Sequence, residues 1–164
     1  MKIEDVPMPG PGKIAETMIF NVIWKTRERK SFISGSILRD MEQTPFFYNC
    51  FCHVLAKGQN KWPYFKWYYR NIQLITPLEH HLWDFGTEEQ RINYALELEE
   101  KSGGKTTADW AKLKALEEEL KEEYKKYFPT TRGLMIGQKY NLMEVMAIVG
   151  MLNERYMASL KPKA

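Results

Sequence analysis

The sequence predicts an α+β fold, in which a short strand–loop–strand–helix unit precedes a series of longer helices. Residues 46–55 are aromatic and β-prone, and residues 71–75 alternate between polar and apolar side chains, so each segment is a predicted strand. Thr76 and Glu79 have the spacing of a capping box, with a proline between them at the first helical position. A helix should therefore begin at residue 77, and Gly86 is suited to end it.

The first half contains three further segments with weaker patterns. Residues 18–24 are apolar and compatible with either a helix or a strand. Residues 31–38 alternate around a glycine, which predicts a hairpin. Residues 56–70 hold six aromatic side chains together with Gly58 and Pro63. Such a composition indicates a long packed loop rather than a linker.

The second half is predicted to be helical. A second capping box at residues 87–90 opens the next helix. Residues 107–127 repeat apolar side chains every three or four positions, and Pro129 ends that pattern. Asn141 with Glu144 caps a last helix.

These elements predict an irregular leader at residues 1–18, a module at 19–86 and a helical extension at 87–164. The extension either packs on the module or mediates homo-oligomerisation. Hydrophobic residues make up 44% and charged residues 27%, as in ordinary globular proteins. No apolar run approaches the roughly 18 residues of a membrane span, and the leader lacks an apolar signal core. We therefore expect an intracellular, cytoplasmic protein without a membrane partner.

Charge is unevenly distributed along the chain. Residues 1–71 hold eleven Lys and Arg against six Asp and Glu, residues 72–128 hold eight against thirteen, and residues 129–164 hold five against two. This distribution is compatible with a phosphate-binding face and also with ordinary surface patterning. The two cysteines, Cys50 and Cys52, are placed too tightly for a good disulfide and are too few for a four-cysteine zinc site.

The three histidines of the chain all lie in the strand–loop–strand–helix unit. His80 and Asp84 are four residues apart, so they project from one helix face and suit a divalent ion such as Mg²⁺, Mn²⁺, Ni²⁺ or Zn²⁺. His81 points to another face and is expected to be structural. His53, on a separate strand, is suited to act as a general base on water. Each of these residues could also have an ordinary structural role, and only their combination favours a catalytic metal site.

Three strings in this unit resemble the HNH endonucleases, in particular their phage-encoded and mobile-element members. The strings are residues 52–58, which include His53, residues 71–74, which begin at Asn71, and residues 79–84, which include His80. The resemblance implies a ββα-metal HNH module with additional C-terminal α-helices. It also implies that His53 activates water, that Asn71 holds the loop bearing this base, and that His80 binds the ion. Asp84 falls where the nuclease colicins of this fold have a further ligand.

The chain departs from that family at two places. Many members have Asp or His before the base as another metal ligand, where this chain has Cys52. Relatives also often carry two zinc-binding cysteine pairs, and the corresponding positions here are Ser31, Ser34, Thr76 and Glu79. We therefore expect a divalent ion in the active site and no structural zinc.

The function expected from this resemblance is metal-dependent cleavage of DNA, in phage-related DNA processing. Lys57, Lys61 and Arg70 lie among the aromatic residues of the loop and would suit contacts to nucleic-acid phosphates, although that loop is equally suited to core packing. One alternative is an HNH scaffold that binds DNA or protein without catalysis, which Cys52 favours. Another is a structural or assembly protein that associates through the helices at 107–127 and 141–160.

Overall fold

The computed structural model describes residues 13–58, 61–132 and 134–160, with side chains described from residue 16 onward. Within these residues the fold is α+β. It comprises five α-helices and two strands in the order α1 (Lys13–Thr26), β1 (Phe51–His53), β2 (Ile72–Leu74), α2 (Pro77–Phe85), α3 (Glu88–Lys101), α4 (Trp110–Tyr127) and α5 (Leu142–Ser159). None of the described helices combines the length and apolarity needed to cross a bilayer.

The strands β1 and β2 pair with each other in an antiparallel two-stranded sheet. Both are three residues long, shorter than the predicted segments 46–55 and 71–75, because a 3₁₀ turn precedes each of them. Before β1, the Thr44 hydroxyl accepts a hydrogen bond from the Phe46 N–H, and this local bond competes with strand pairing. The second strand is buried along its whole length rather than on one face.

Capping boxes open three of the helices, as the sequence predicts. In α2 the Thr76 hydroxyl accepts from the Glu79 N–H, and the Glu79 carboxylate accepts from the Thr76 N–H. The same reciprocal bonds open α3 and α5. The predicted stop at Gly86 is also confirmed, because its N–H bonds to the Leu82 carbonyl. A Cβ there would lie 2.5 Å from that carbonyl oxygen, so a side chain does not fit.

The C-terminus of α2 is held by one arginine. Arg91 donates hydrogen bonds to the carbonyl groups of Leu82, Trp83 and Gly86, at 2.9, 3.1 and 3.0 Å. A cation at this end also interacts favourably with the helix dipole. Both ends of α2, the helix that carries His80, are therefore fixed by side chains.

The ambiguous segments of the first half are now assigned. Residues 18–24 belong to α1, which begins at Lys13 inside the predicted leader; residues 1–12 of that leader lie outside the described part of the chain. Lys30 and Ile37 form an antiparallel bridge around a tight turn, in which Gly35 has a φ of 72°. That positive φ explains the glycine.

The chain forms two compact units. The first comprises Met1–Arg27, Leu55–Ile72 and Glu119–Ala164, and the second comprises Glu28–Val54 and Gln73–Glu118. Each unit is assembled from separated stretches of the chain. The division into a module at 19–86 and an extension at 87–164 stays a prediction. The described core of the first unit is rich in aromatic rings, among them Tyr64, Phe65, Tyr124 and Phe128. The packed loop predicted at 56–70 supplies the first two of these rings.

Candidate metal centre

Three side chains of the second unit bring potential metal ligands together. The Cys52 Sγ, a ring nitrogen of His80 and a carboxylate oxygen of Asp84 all lie within 4.8 Å of one another. His80 Nε2 and Asp84 Oδ2 lie 3.1 Å apart. Within the described ranges this is the one such group of three His, Cys, Asp or Glu residues. The sequence predicted His80 and Asp84 as a pair, and the structure adds Cys52.

The three ligands come from β1 and α2. Cys52 is the middle residue of β1, and His80 and Asp84 stand one turn apart on α2. Cys52 is completely buried, whereas the side chains of His80 and Asp84 retain 23% and 39% of their exposure. The cluster therefore has a buried thiol on one side and remains accessible to solvent on the other.

A backbone hydrogen bond orients the His80 ring. Its Nδ1 donates to the Asn49 carbonyl oxygen at 2.7 Å, because a carbonyl can only accept. Nε2 is consequently the nitrogen that faces Asp84. Metal-binding histidines commonly have their second ring nitrogen engaged in this way, which fixes the orientation of the ligating nitrogen.

Burial controls the protonation of the Cys52 thiol. Burial raises its pKa well above the usual range, and the nearby charge of Asp84 raises the pKa further. Both causes disfavour a thiolate next to a carboxylate. A divalent cation at the cluster would oppose both, because metal ligation deprotonates a coordinating thiol.

His53 lies beside the cluster in sequence but outside it in space. It is the last residue of β1 and is half-buried. Its ring nitrogens are not among the ligand atoms that converge within 4.8 Å. Its assignment as the general base stays a prediction.

Asn71 belongs to the first unit, where it is completely buried. Its Oδ1 accepts from the Leu55 N–H at 2.7 Å, and its Nδ2 donates to the carbonyls of Leu55 and Phe65 at 3.1 and 3.2 Å. Leu55 follows His53 by two residues along the chain. The resemblance implies that this residue holds the loop after the base, and that role stays a prediction.

The three predicted phosphate contacts, all in the first unit, differ in their surroundings. Lys57 forms an ion pair with Glu16. Arg70 is paired with Glu119 and with Glu123, the latter at 3.5 Å. Lys61 is exposed. Carboxylates thus already neutralise part of the charge that the sequence assigned to nucleic acid.

A cationic cavity of the first unit escaped the sequence analysis. It has a volume of about 320 Å³, and its lining includes Lys121, Lys125, Arg132 and the aromatic ring of Trp62. The Arg132 guanidinium lies 4.8 Å from the centre of that ring. Cationic side chains beside an aromatic ring suit a ligand that carries both a phosphate group and a flat ring able to stack on the tryptophan. The only sequence signal was the excess of basic residues after residue 128.

The four positions that the sequence resemblance aligns with zinc-binding cysteines of HNH nucleases meet around Glu79. Its completely buried carboxylate accepts from the Ser31 hydroxyl at 2.6 Å and from the Thr76 N–H at 2.8 Å, and the Ser34 N–H donates to the Ser31 hydroxyl at 3.2 Å. The Tyr94 hydroxyl donates to the second carboxylate oxygen at 2.8 Å. We call these five residues the Glu79 network. These hydrogen bonds join the turn around Ser31, the first turn of α2 and Tyr94 of α3.

The charge of Glu79 influences its neighbours. Burial and this carboxylate together raise the pKa of Tyr94 above its usual range. Burial in the first place, and Glu79 in the second, raise the pKa of the Cys50 thiol to about 11. Both groups therefore remain neutral at physiological pH, and Tyr94 keeps the proton that it donates.

Comparison with known proteins found no family model, no curated protein and no solved structure that matches this chain.

Proposed function

We propose that this chain is a metal-dependent nuclease of the HNH type that hydrolyses phosphodiester bonds in DNA. One observation carries the proposal: the ligand atoms of Cys52, His80 and Asp84 converge within 4.8 Å across β1 and α2. His80 and Asp84 belong to the strings on which the sequence resemblance rests, and so does His53, which follows Cys52 in sequence.

The donor set fits a divalent ion. One nitrogen, one carboxylate oxygen and one sulfur are a mixed set of the kind that first-row transition ions accept. Three protein ligands also leave coordination positions open, as catalytic rather than structural sites require. The partial exposure of His80 and Asp84 keeps those positions accessible to a phosphate.

The chemistry needs one proton acceptor besides the ion. A bound divalent ion would polarise the scissile phosphate and stabilise the leaving oxygen. His53 takes a proton from water as the water oxygen forms its bond to phosphorus. The bond from phosphorus to the leaving oxygen then breaks, and that oxygen collects a proton from solvent. Asn71 contributes by holding the backbone at Leu55, shortly after the base.

The cationic cavity supports DNA as the substrate. Arg132 offers positive charge beside the Trp62 ring, which suits a sugar–phosphate chain and its bases. Lys121 and Lys125 also line the cavity, and Lys125 forms an ion pair with Glu122 at 3.3 Å. Lys61 adds an exposed cation in the same unit.

A plasmid-nicking assay tests the proposal. The full chain is incubated with supercoiled DNA and Mg²⁺, Mn²⁺, Ni²⁺ or Zn²⁺, beside the variants His53→Ala and His81→Ala. Because a general base contributes about 10²–10⁴-fold, nicking should fall by that factor in His53→Ala. It should be unchanged in His81→Ala, a matched control because its ring is exposed on α2.

Two outcomes would favour the alternatives instead. A protein that binds metal and DNA but nicks with none of the four ions would be a non-catalytic HNH scaffold. A protein that binds neither, and that forms oligomers through the helices at 107–127 and 141–160, would be an assembly protein. Equal nicking by His53→Ala and the parent would reject His53 as the base.

A further inference from the structure

The donor set of the candidate metal centre contains a sulfur atom that is fixed in place. Cys52 occupies the middle of β1, is paired through that strand to β2, and has no solvent exposure. Its Sγ lies within 4.8 Å of the ligand atoms of both His80 and Asp84. An ion that enters this cluster therefore meets sulfur, nitrogen and oxygen together.

Metal ions differ in how tightly they bind a site that offers sulfur, nitrogen and oxygen ligands. Mg²⁺ is bound through oxygen and retains several water molecules, so Asp84 would be its one suitable ligand here. Zn²⁺ and Co²⁺ accept thiolate, imidazole and carboxylate in the same site. Tetrahedral zinc holds its ligand atoms about 3–4 Å apart. The 3.1 Å separation between His80 Nε2 and Asp84 Oδ2 is already in that range.

We infer that Cys52 makes this centre selective for a sulfur-accepting ion of the Zn²⁺ and Co²⁺ class over Mg²⁺. The inference rests on the proposed function in one respect, which is that the cluster holds the ion. It goes further by assigning the third ligand and the class of metal.

Cys50 provides the matched control. It is buried like Cys52 and lies two residues away, yet it is outside the cluster. Its Sγ is instead directed to the Phe46 carbonyl, 4.0 Å away. A thiol-specific signal that depends on Cys52 and not on Cys50 therefore reports the cluster itself.

The test is a titration of the reduced full chain with Co²⁺, followed by absorption spectroscopy. A thiolate bound to Co²⁺ gives a ligand-to-metal charge-transfer band in the near ultraviolet. We expect that band in the parent and in Cys50→Ser, and we expect Cys52→Ser to lack it. Calorimetric titration with ZnCl₂ should show at least about 10-fold weaker binding in Cys52→Ser, since even outer residues around metal ligands are worth 10–100-fold.

A second variant tests selectivity directly. Cys52→Asp replaces sulfur by oxygen, so the ratio of Zn²⁺ to Mg²⁺ affinity should fall by at least about 10-fold relative to the parent. The spectrum of the parent keeps the inference testable if either Cys52 variant fails to fold. Co²⁺ binding without the charge-transfer band would overturn this inference while leaving an ion site in place. Binding of no ion at all would overturn the proposed function as well.

Discussion

The Ser31 hydroxyl donates a hydrogen bond of 2.6 Å to the buried carboxylate of Glu79, a residue 48 positions away in the chain. This bond joins the turn around Gly35 to the first turn of α2. It is the longest-range contact of the Glu79 network. The stability of the second unit should therefore depend strongly on this one carboxylate.

Glu79→Ala should lower the free energy of unfolding by about 3 kcal/mol, because it leaves the donors of Ser31, Thr76 and Tyr94 without their acceptor. Glu79→Gln should be milder, about 1 kcal/mol, because the Tyr94 hydroxyl can rotate to accept from the new amide. Urea unfolding followed by circular dichroism measures both values. Glu97→Ala, an exposed change in α3, should remain within about 0.5 kcal/mol of the parent. An equally small effect at Glu79 would contradict the network's role.

Metal removal should leave the fold intact. The triple variant Cys52→Ser, His80→Ala and Asp84→Ala, which lacks all three ligands of the candidate metal centre, should have the same melting temperature in EDTA and in Zn²⁺, because hydrogen bonds connect the Glu79 network. Differential scanning calorimetry with elemental analysis of the purified protein provides the measurement. A stoichiometric zinc ion that persists in this variant, and whose removal unfolds it, would demonstrate a structural zinc site.

Asn71→Ala should impair both stability and catalysis. Loss of its three hydrogen bonds leaves the buried N–H and carbonyl groups of Leu55 without these partners and should lower the free energy of unfolding by about 3 kcal/mol. The Phe65 carbonyl keeps the hydrogen bond that the Tyr68 N–H donates to it. At a temperature where the variant remains folded, the nicking rate should fall while the affinity for DNA is retained. The exposed change Asn93→Ala is the control. Full nicking activity in folded Asn71→Ala would remove the residue from the mechanism.

His80→Ala and Asp84→Ala should each weaken Zn²⁺ binding by at least about 10-fold. His81→Ala should have no effect, because the helix turns residue 81 away by about 100°. Its ring instead lies 5.5 Å from that of Phe85. Isothermal titration calorimetry compares the three variants directly. Similar losses at positions 80 and 81 would indicate a different pair of ligands.

Charge reversal in the cationic cavity should weaken DNA binding. Arg132→Glu removes a cation from the cavity and adds an anion, and the affinity for a labelled duplex should fall with a shallower dependence on salt. Lys105→Glu makes the same charge change at an exposed position of the second unit. Fluorescence anisotropy at several salt concentrations separates the two variants. Equal losses would mean that net charge, and not this cavity, governs the binding.

Local signals in the sequence were sufficient to predict α2 and the proximity of His80 and Asp84. The capping box of Thr76 and Glu79 fixes where the helix begins, and the four-residue spacing then places His80 and Asp84 on one face. Both features act within a single turn. They need no knowledge of the rest of the chain.

Other features depend on contacts between distant residues, which sequence patterns do not report. Cys52 becomes a candidate ligand only because β1 lies near α2, and a thiol was not the expected donor at that position. The ion pairs of Lys57 and Arg70 likewise involve carboxylates far away in sequence. The predicted strands were too long because side-chain hydrogen bonds such as that of Thr44 favour turns over extended backbone.

The interleaved course of the chain limits how this fold can be shortened or transplanted. A fragment that stopped at residue 86 would contain all three ligands of the candidate metal centre. It would nonetheless lack Tyr94, which donates to Glu79, and Asp109, whose N–H bonds to the Ile33 carbonyl. The residues of the candidate metal centre therefore do not lie in a segment that contains all of its own supporting contacts. Recombination that exchanged residues 1–86 alone would separate these three residues from Tyr94 and Asp109.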